Sequence, residues 1–160
     1  MDIQHLSRRF KELYGSSDIA VRIYFAPGRV NIIGEHTDYN GGLVLPAAIG
    51  FGTYLLIRES NNNTLSFASE NYPETASLKT TTSIQKNKVE WVNYPLGIID
   101  QFNIEGLKTP GIECLYAGDI PPGAGLSSSA SIELVTAFAL NDLFDFSKEK
   151  IDLIHLSQKC

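Results

Sequence analysis

The stretch from Ile120 to Ser131 constrains the fold of this chain more than any other. It reads Ile-Pro-Pro-Gly-Ala-Gly-Leu-Ser-Ser-Ser-Ala-Ser and joins an apolar, strand-like segment to a long helical pattern. Glycines have no Cβ, so the backbone can turn sharply there and approach a ligand closely. The serines fall where a helix has unpaired N–H groups and the positive end of its dipole. The pattern therefore predicts a strand–turn–helix unit with an anion site, most often for phosphate.

Other interpretations of this stretch have to be weighed against a phosphate site. A serine-capped helix after a glycine turn needs no ligand at all. A Walker P-loop would end in Gly-Lys-Ser/Thr, which this stretch lacks. A dinucleotide fingerprint would have a third glycine where Ser128 stands. Asp145 lies about 20 residues beyond, but no strand is evident between the helix and that aspartate.

Composition is that of a soluble globular protein with one domain. The chain has 160 residues, of which 43% are hydrophobic and 19% charged. Thirteen basic and 18 acidic residues give a net charge of −5 without any basic run, so nucleic acid is not an expected partner. Two cysteines form no disulfide framework, which favours a cytoplasmic location. No segment has the length and hydrophobicity of a signal peptide or a membrane span, so no membrane partner is expected.

Hydrophobic periodicity predicts a mixed α+β fold. Helices are predicted from Leu6 to Leu13, from Pro95 to before Gly106, after the serine run, and from a cap at Ser147; strands are predicted at 21–25, 43–49, 53–57, 65–68, 76–83 and 111–116. A loop rich in Gly and Asn is predicted from Ala26 to Gly42. No Gly, Asn or Pro closes the last helix before Cys160. We therefore expect one domain over residues 1–160 that is incomplete at its C-terminal end.

The predicted loop between Ala26 and Gly42 holds a second cluster of polar groups. Arg29, Glu35, His36 and Asp38 lie within ten residues and are framed by glycines. A surface turn with incidental charges is one explanation. A metal site is another, although one histidine and two carboxylates this close match no common zinc spacing. The mixture of donors and acceptors suits the hydroxyls of a polyol better, because each hydroxyl needs both.

Both clusters resemble the sequence motifs of one kinase family. Residues 28–39, Gly-Arg-Val-Asn-Ile-Ile-Gly-Glu-His-Thr-Asp-Tyr, resemble the galactokinase signature, and residues 39–46 extend that match. Residues 120–131 resemble the ATP-binding motif of the GHMP kinases, which include galactokinase, homoserine kinase, mevalonate kinase and phosphomevalonate kinase. The resemblance covers essentially the whole chain, as the N-terminal portion of a longer enzyme. It implies a mixed sheet with packed helices, as in the GHMP kinase N-terminal domain and the second domain of ribosomal protein S5.

The same resemblance implies an activity and a set of site residues. The reaction would transfer the γ-phosphoryl group of ATP to the anomeric hydroxyl of D-galactose, with Mg²⁺. Arg29 would stabilise the transition state beside that hydroxyl. The implied sugar ligands are Glu35, His36, Thr37 and Asp38; the implied ATP-binding residues are Ser69, Gly123, Ala124, Gly125, Leu126, Ser127, Ser128 and Ser129, with Ser129 also a Mg²⁺ ligand. Trp91 and Tyr94 also fit the family, but we assign them to the core.

Two alternatives to galactokinase activity follow from a departure from the family pattern. The resemblance places a base aspartate and a second Mg²⁺-binding glutamate after the helix that ends here at Cys160. Neither position, nor the C-terminal domain, is present in the 160 residues. The chain could instead belong to a kinase for a related sugar such as N-acetylgalactosamine, or to a non-catalytic sugar and ATP sensor. An intact Ser128-Ser129-Ala130 favours a working phosphate site.

Overall fold

A five-stranded mixed sheet with helices on both faces forms the fold. The computed structural model describes residues 1–34, 40–81, 83–121 and 125–160. Its elements are α1 Ile3–Tyr14, β1 Arg22–Ile33, β2 Leu45–Glu59, β3 Thr64–Ser69, β4 Ala76–Lys79, α2 Asn93–Ile104, β5 Ile112–Gly118, α3 Ser128–Leu143 and α4 Lys150–Ser157. A short 3₁₀ turn over Glu90–Val92 leads into α2. The predicted α+β class is confirmed.

The strand order places the C-terminal ends of β3 and β5 together at one edge of the sheet, beside the middle of β2. The order is β1-β2-β5-β3-β4, and β3 pairs with β5 in parallel while the other neighbours are antiparallel. Parallel strands end at the same edge, so Ser69 of β3 and Gly118 of β5 lie close together. Thr53 of β2 pairs with Gly118 and joins them there. The Gly/Ser stretch leaves the sheet from this edge.

Two apolar cores lie on opposite faces of the sheet. Leu55 and Ile57 of β2 face the larger core with α2, α3 and α4, whereas Leu56 between them faces α1. This alternation follows from the two-residue period of a strand. Helix α1 buries Leu6 and Phe10 and ends at Gly15, as the spacing predicts. Its N-terminus is capped by the Asp2 carboxylate, which accepts a hydrogen bond from the backbone N–H of Gln4 at 2.9 Å.

The first hairpin is longer than the sequence predicts. Instead of a loop from Ala26, β1 continues to Ile33, and β2 is one strand of 15 residues where two segments were expected. The pairing shifts register between Pro27 and Arg29, as a β-bulge does. A proline is tolerated on an edge strand, so the strand passes through residues whose local preference is a turn. Pairing across the hairpin outweighs the local glycine and proline signals.

The start of α4 also differs from the prediction. Ser147 does not cap this helix, because its backbone is left-handed (φ 56°) and Glu149 occupies the cap position without a side-chain bond. Asn141 closes the turn instead. Its side-chain oxygen accepts from the Lys148 N–H at 2.9 Å, and its side-chain nitrogen donates to the Lys148 carbonyl at 3.2 Å. The predicted strand from Ala76 is shorter than expected and ends at Lys79.

Helix α2 runs from Asn93 to Ile104, in the region where a helix was predicted from Pro95 to before Gly106. Helix α3 packs between α2, α4 and the first two strands, so its first turn is held at the strand edge described above. Across the described ranges, none of the helices is long and apolar enough to span a membrane.

Candidate functional site

A cavity of about 310 Å³ lies at the edge where β3 and β5 end. Ser69, Ser128 and Ser129 line one part of it. These three were predicted from separate parts of the sequence, about 60 residues apart, and the parallel pairing of β3 with β5 brings them together. The fold therefore builds a single pocket from the end of one strand and the start of a helix.

The first turn of α3 presents its serine hydroxyls to the pocket. Ser127 occupies the N-cap with a left-handed backbone (φ 60°), and its side chain makes no capping hydrogen bond. A second cavity of about 350 Å³ lies over Gly125 to Ser129 and shares Ser128 and Ser129 with the first. The unpaired N–H groups of this helix start and the serine hydroxyls thus border continuous open space. Such a surface can bind a phosphate group.

Ser131 belongs to the same stretch but points the other way. It is only 1% exposed, and its hydroxyl donates to the Ala26 carbonyl at 2.7 Å. The Thr53 hydroxyl lies 3.0 Å from the same oxygen, within hydrogen-bond distance. These bonds tie the first turn of α3 to β1 and β2. One residue of the serine-rich stretch, Ser131, therefore anchors that stretch to the sheet.

A backbone contact joins the two motifs found in the sequence. The Arg29 N–H donates to the Leu126 carbonyl at 3.2 Å. A Cβ on Gly28 would lie 2.7 Å from that same carbonyl oxygen, closer than any side chain tolerates. Gly28 is thus required for close approach. The Arg29 residue is exposed, and among the described residues none pairs with its guanidinium.

Several predicted site residues lie outside the described residues. They are the sugar ligands Glu35, His36, Thr37 and Asp38, and the loop residues Gly123 and Ala124. Of the predicted set, Arg29, Ser69 and Gly125 to Ser129 are described. Arg29 and Leu126 are in backbone contact, and Ser69, Ser128 and Ser129 share a cavity.

An aromatic wall completes the first cavity, the one lined by Ser69, and the sequence analysis did not assign it to a site. Trp91 lies in the larger core, as predicted, and it also lines this pocket together with Tyr94 and Tyr72. Trp91 is 7% exposed and packs edge-on against Tyr116 at 5.7 Å, while its other side stacks with Tyr72 at 6.4 Å and 13° between ring planes. Tyr72 and Tyr94 are half exposed. The available signal was the position of Tyr72, four residues past the end of a predicted strand.

Burial keeps the groups beneath the pocket neutral. It raises the pKa of the Tyr116 phenol well above its ordinary range, and that of the Cys114 thiol as well. The Tyr116 hydroxyl is hydrogen-bonded to Thr136 at 2.9 Å. The Tyr116 side chain, which lines the pocket, is therefore uncharged at neutral pH. Among the described residues, no three His, Cys, Asp or Glu side chains cluster to hold a metal ion.

Two family models match separate parts of the chain, and each part contains one of the two motifs. Residues 8–59 match the galactokinase galactose-binding signature, and residues 93–160 match the N-terminal domain of the GHMP kinases. The mevalonate kinase structure from Methanococcus jannaschii has the same fold, with a TM-score of 0.78 and 21% identity over 86% of this chain and 45% of that one. Fold and site therefore define the N-terminal domain of a GHMP kinase.

Sequence relatives narrow this class further. The galactokinase of Clostridium tetani is 44% identical over 99% of this chain and 40% of its own length, and that of Fusobacterium nucleatum is 42% identical over 98% and 41%. The structure of Lactococcus lactis galactokinase complexed with galactose superposes with a TM-score of 0.92 at 39% identity, covering 98% of this chain and 41% of that one. The chain belongs to the galactokinase family and corresponds to its N-terminal portion. It spans about 40% of the length of these curated relatives.

Proposed function

We propose that this chain forms the galactose site and the ATP phosphate site of a galactokinase. The reaction transfers the γ-phosphoryl group of ATP to the anomeric hydroxyl of D-galactose. The observation that carries this proposal is the contact between the two motifs, in which the Arg29 N–H bonds to the Leu126 carbonyl. Through this bond Arg29, which precedes the predicted sugar ligands, contacts the predicted phosphate loop at Leu126. Phosphoryl transfer depends on such positioning, because the protein does little covalent chemistry itself.

The residues that line the two connected cavities suit the phosphates and the base of ATP. The phosphates would lie over Gly125 to Ser129, where the helix N-terminus and the serine hydroxyls donate hydrogen bonds; Gly123 and Ala124 complete this loop in the sequence. The base would lie against the half-exposed rings of Tyr72 and Tyr94, beside Trp91, since aromatic faces stack on nucleobases. Ser69 lies between these regions in the proposal, at the level of the ribose and phosphates.

Mg²⁺ is proposed as the metal that accompanies ATP. Ser129 fits this role because Mg²⁺ prefers hard oxygen ligands and usually takes only one or two groups from the protein, with phosphates and water supplying the rest. Ser129 is half-buried and lines both cavities. When bound, the ion would neutralise charge on the phosphate oxygens.

Galactose is proposed to lie on the Arg29 side of the phosphate loop. Glu35, His36, Thr37 and Asp38 would hold its hydroxyls through both donors and acceptors. The Arg29 guanidinium, exposed and unpaired among the described residues, would stabilise charge on the transferring phosphoryl group. An arginine contributes most where negative charge develops on the phosphoryl oxygens in the transition state.

The proposal also places the protein in the cytoplasm, without nucleic-acid or membrane partners. The net charge of −5 gives no basic surface for nucleic acid. Both cysteines are free thiols, and Cys114 is buried, which suits a reducing compartment.

Galactose-dependent release of ADP tests the function. The longest polypeptide of the reading frame that contains this chain is incubated with Mg²⁺-ATP and galactose, N-acetylgalactosamine or no sugar. We expect ADP release with galactose and little with the other two. Calorimetry on the 160-residue chain measures binding of galactose and ATP separately. Turnover of N-acetylgalactosamine alone would indicate the related sugar kinase, and binding of both ligands without ADP release would indicate a sensor.

A further inference from the structure

Gly118, the last residue of β5, leads into the phosphate loop and is held by a side chain on the side where β3 has already ended. Regular pairing of β3 with β5 ends at Ser69 opposite Tyr116. Beyond it, the Asn71 side-chain nitrogen donates to the Gly118 carbonyl at 2.8 Å, and the Gly118 N–H donates to the Asn71 side-chain oxygen at 2.7 Å. One amide side chain therefore satisfies both backbone groups of Gly118. It extends the sheet pairing by one step where β3 has already left the sheet.

The next residue, Asp119, is held from the opposite side of β5, by Gly52 of β2. The Asp119 N–H donates to the Gly52 carbonyl at 3.1 Å, and the Gly52 N–H donates to the Asp119 carboxylate at 2.7 Å. Gly118 and Asp119 are thus fixed between β3 and β2. The start of the phosphate loop has a defined position before it meets any ligand.

Asn71 also belongs to the segment that forms the other wall of the pocket. It lies between Ser69 and Tyr72, which both line the cavity, and its own N–H donates to the Ser69 hydroxyl at 3.1 Å. Glu70 is held in turn by α1, where His5 lies 3.0 Å and Arg9 3.2 Å from its carboxylate oxygens. This segment is anchored to a helix behind it and to Gly118 in front.

We propose that Asn71 is a positioning residue for ATP, which sets the distance between the phosphate loop and the segment from Ser69 to Tyr72. This inference rests on the proposed function. The oxygen and the nitrogen of the amide are both engaged by Gly118, so Asn71 acts through the loop. ATP has to contact both walls at once, and a small misplacement of one wall weakens a ligand that spans them. Galactose, on the Arg29 side of the loop, does not span them.

The test compares Asn71→Ala with a matched control, Asn61→Ala. Asn61 is also an exposed asparagine close to β3, but it lies in the turn before the strand, at the opposite end of the sheet from Gly118. Removing both bonds to Gly118 should weaken ATP binding about 10-fold. Galactose affinity should stay within about twofold, and the ATP KM should rise more than kcat falls. Asn61→Ala should match the unsubstituted protein in all of these.

Amide hydrogen exchange separates positioning from direct contact. In the nucleotide-free protein, the Gly118 N–H should exchange faster in Asn71→Ala than in the control, because its acceptor is gone. Weaker ATP binding with unchanged exchange would make Asn71 a direct ligand and overturn the positioning role, as would unchanged ATP affinity. If the unsubstituted protein binds no ATP, the proposed function fails. The exchange result then still decides whether Asn71 holds the loop.

Discussion

Serine side chains have opposite roles on the two sides of the first turn of α3, the side that faces open space and the side that packs on the strands. Ser128 is exposed and Ser129 half-buried, and both line open cavities. Ser131, less than one turn further on, is 1% exposed and engaged with Ala26 and Thr53. A hydroxyl without a protein partner can bind a ligand, whereas a buried one with two partners fixes the backbone.

This difference shows that binding surface and support are adjacent in the sequence. The helix turn cannot point its serines at a phosphate unless something holds the turn in place, and Ser131 does so. Changes on the open side should therefore alter function with little effect on stability. Changes on the buried side should alter stability first. The following predictions test that division.

Arg29→Ala should have the largest effect, on the open side. Turnover by the full-length protein should fall by about 10³-fold or more, as for other arginines that stabilise phosphoryl transfer. The melting temperature should stay within about 2 °C, because Arg29 is exposed. Arg22→Ala, an exposed arginine on the same strand, is the control and should retain turnover within about twofold. Near-normal turnover of Arg29→Ala would refute its proposed role.

Ser129→Ala should come next, again on the open side. Loss of one oxygen that stabilises the Mg²⁺-phosphate charge should lower turnover about 100-fold and raise the Mg²⁺ concentration needed for half-maximal rate. Stability should change by less than about 0.5 kcal/mol, because Ser129 is partly exposed and lines the open cavities. A Mg²⁺ titration of initial rates checks this. An unchanged Mg²⁺ requirement would remove Ser129 from the metal site.

Ser131→Ala tests the buried side. It leaves the Ala26 carbonyl and the Thr53 hydroxyl without their partner, and a buried polar group left unpaired costs about 1–3 kcal/mol. The free energy of unfolding from urea titration should drop by that amount. Ser147→Ala, at an exposed serine, is the control and should drop by less than about 0.5 kcal/mol. Full stability in Ser131→Ala would mean that Ser131 is not the anchor.

Much of the fold follows from local patterns, and the exceptions share one cause. Helix α1 and the strand–turn–helix unit at Ile120 to Ser131 appear in the sequence because their signals lie within a few residues. The extension of β1 to Ile33 and the single strand β2 do not, because pairing across a hairpin overrides local turn preferences. The prediction that Ser147 caps α4 fails for a similar reason, because Asn141 from the preceding helix closes the turn before α4.

The candidate site was predictable where a motif is contiguous and hidden where it is not. Arg29 and the serine run stand out within short stretches. Trp91 and Tyr72 are 19 residues apart and meet only in the fold, so neither was assigned to the pocket. Nor does serine spacing distinguish Ser129 from Ser131, since the distinction depends on which face of α3 meets β1 and β2.

Asp142→Asn should have the smallest effect and concerns the other end of α3. The Asp142 carboxylate accepts a hydrogen bond from the Tyr24 hydroxyl at 2.6 Å and another from Arg22 at 2.8 Å, and these bonds lower its pKa below the ordinary value. A lowered folded-state pKa contributes stability above the unfolded-state pKa and loses it as the pH falls through the folded-state value. The side chain is 49% exposed, so solvent limits the contribution to less than about 1 kcal/mol.

The pH dependence identifies this contribution. The free energy of unfolding of Asp142→Asn should lie slightly below that of the unsubstituted protein at pH 7, and the gap should close as the pH falls through the lowered folded-state pKa, below which the carboxyl is protonated in both states. A gap that persists at low pH would assign the loss to packing rather than charge. Because Asp142 lies at the far end of α3 from the pocket, ATP and galactose affinities should not change. A change in ATP affinity would mean that α3 transmits its C-terminal anchoring to the serine run, and the division between support and binding surface would not hold for this helix.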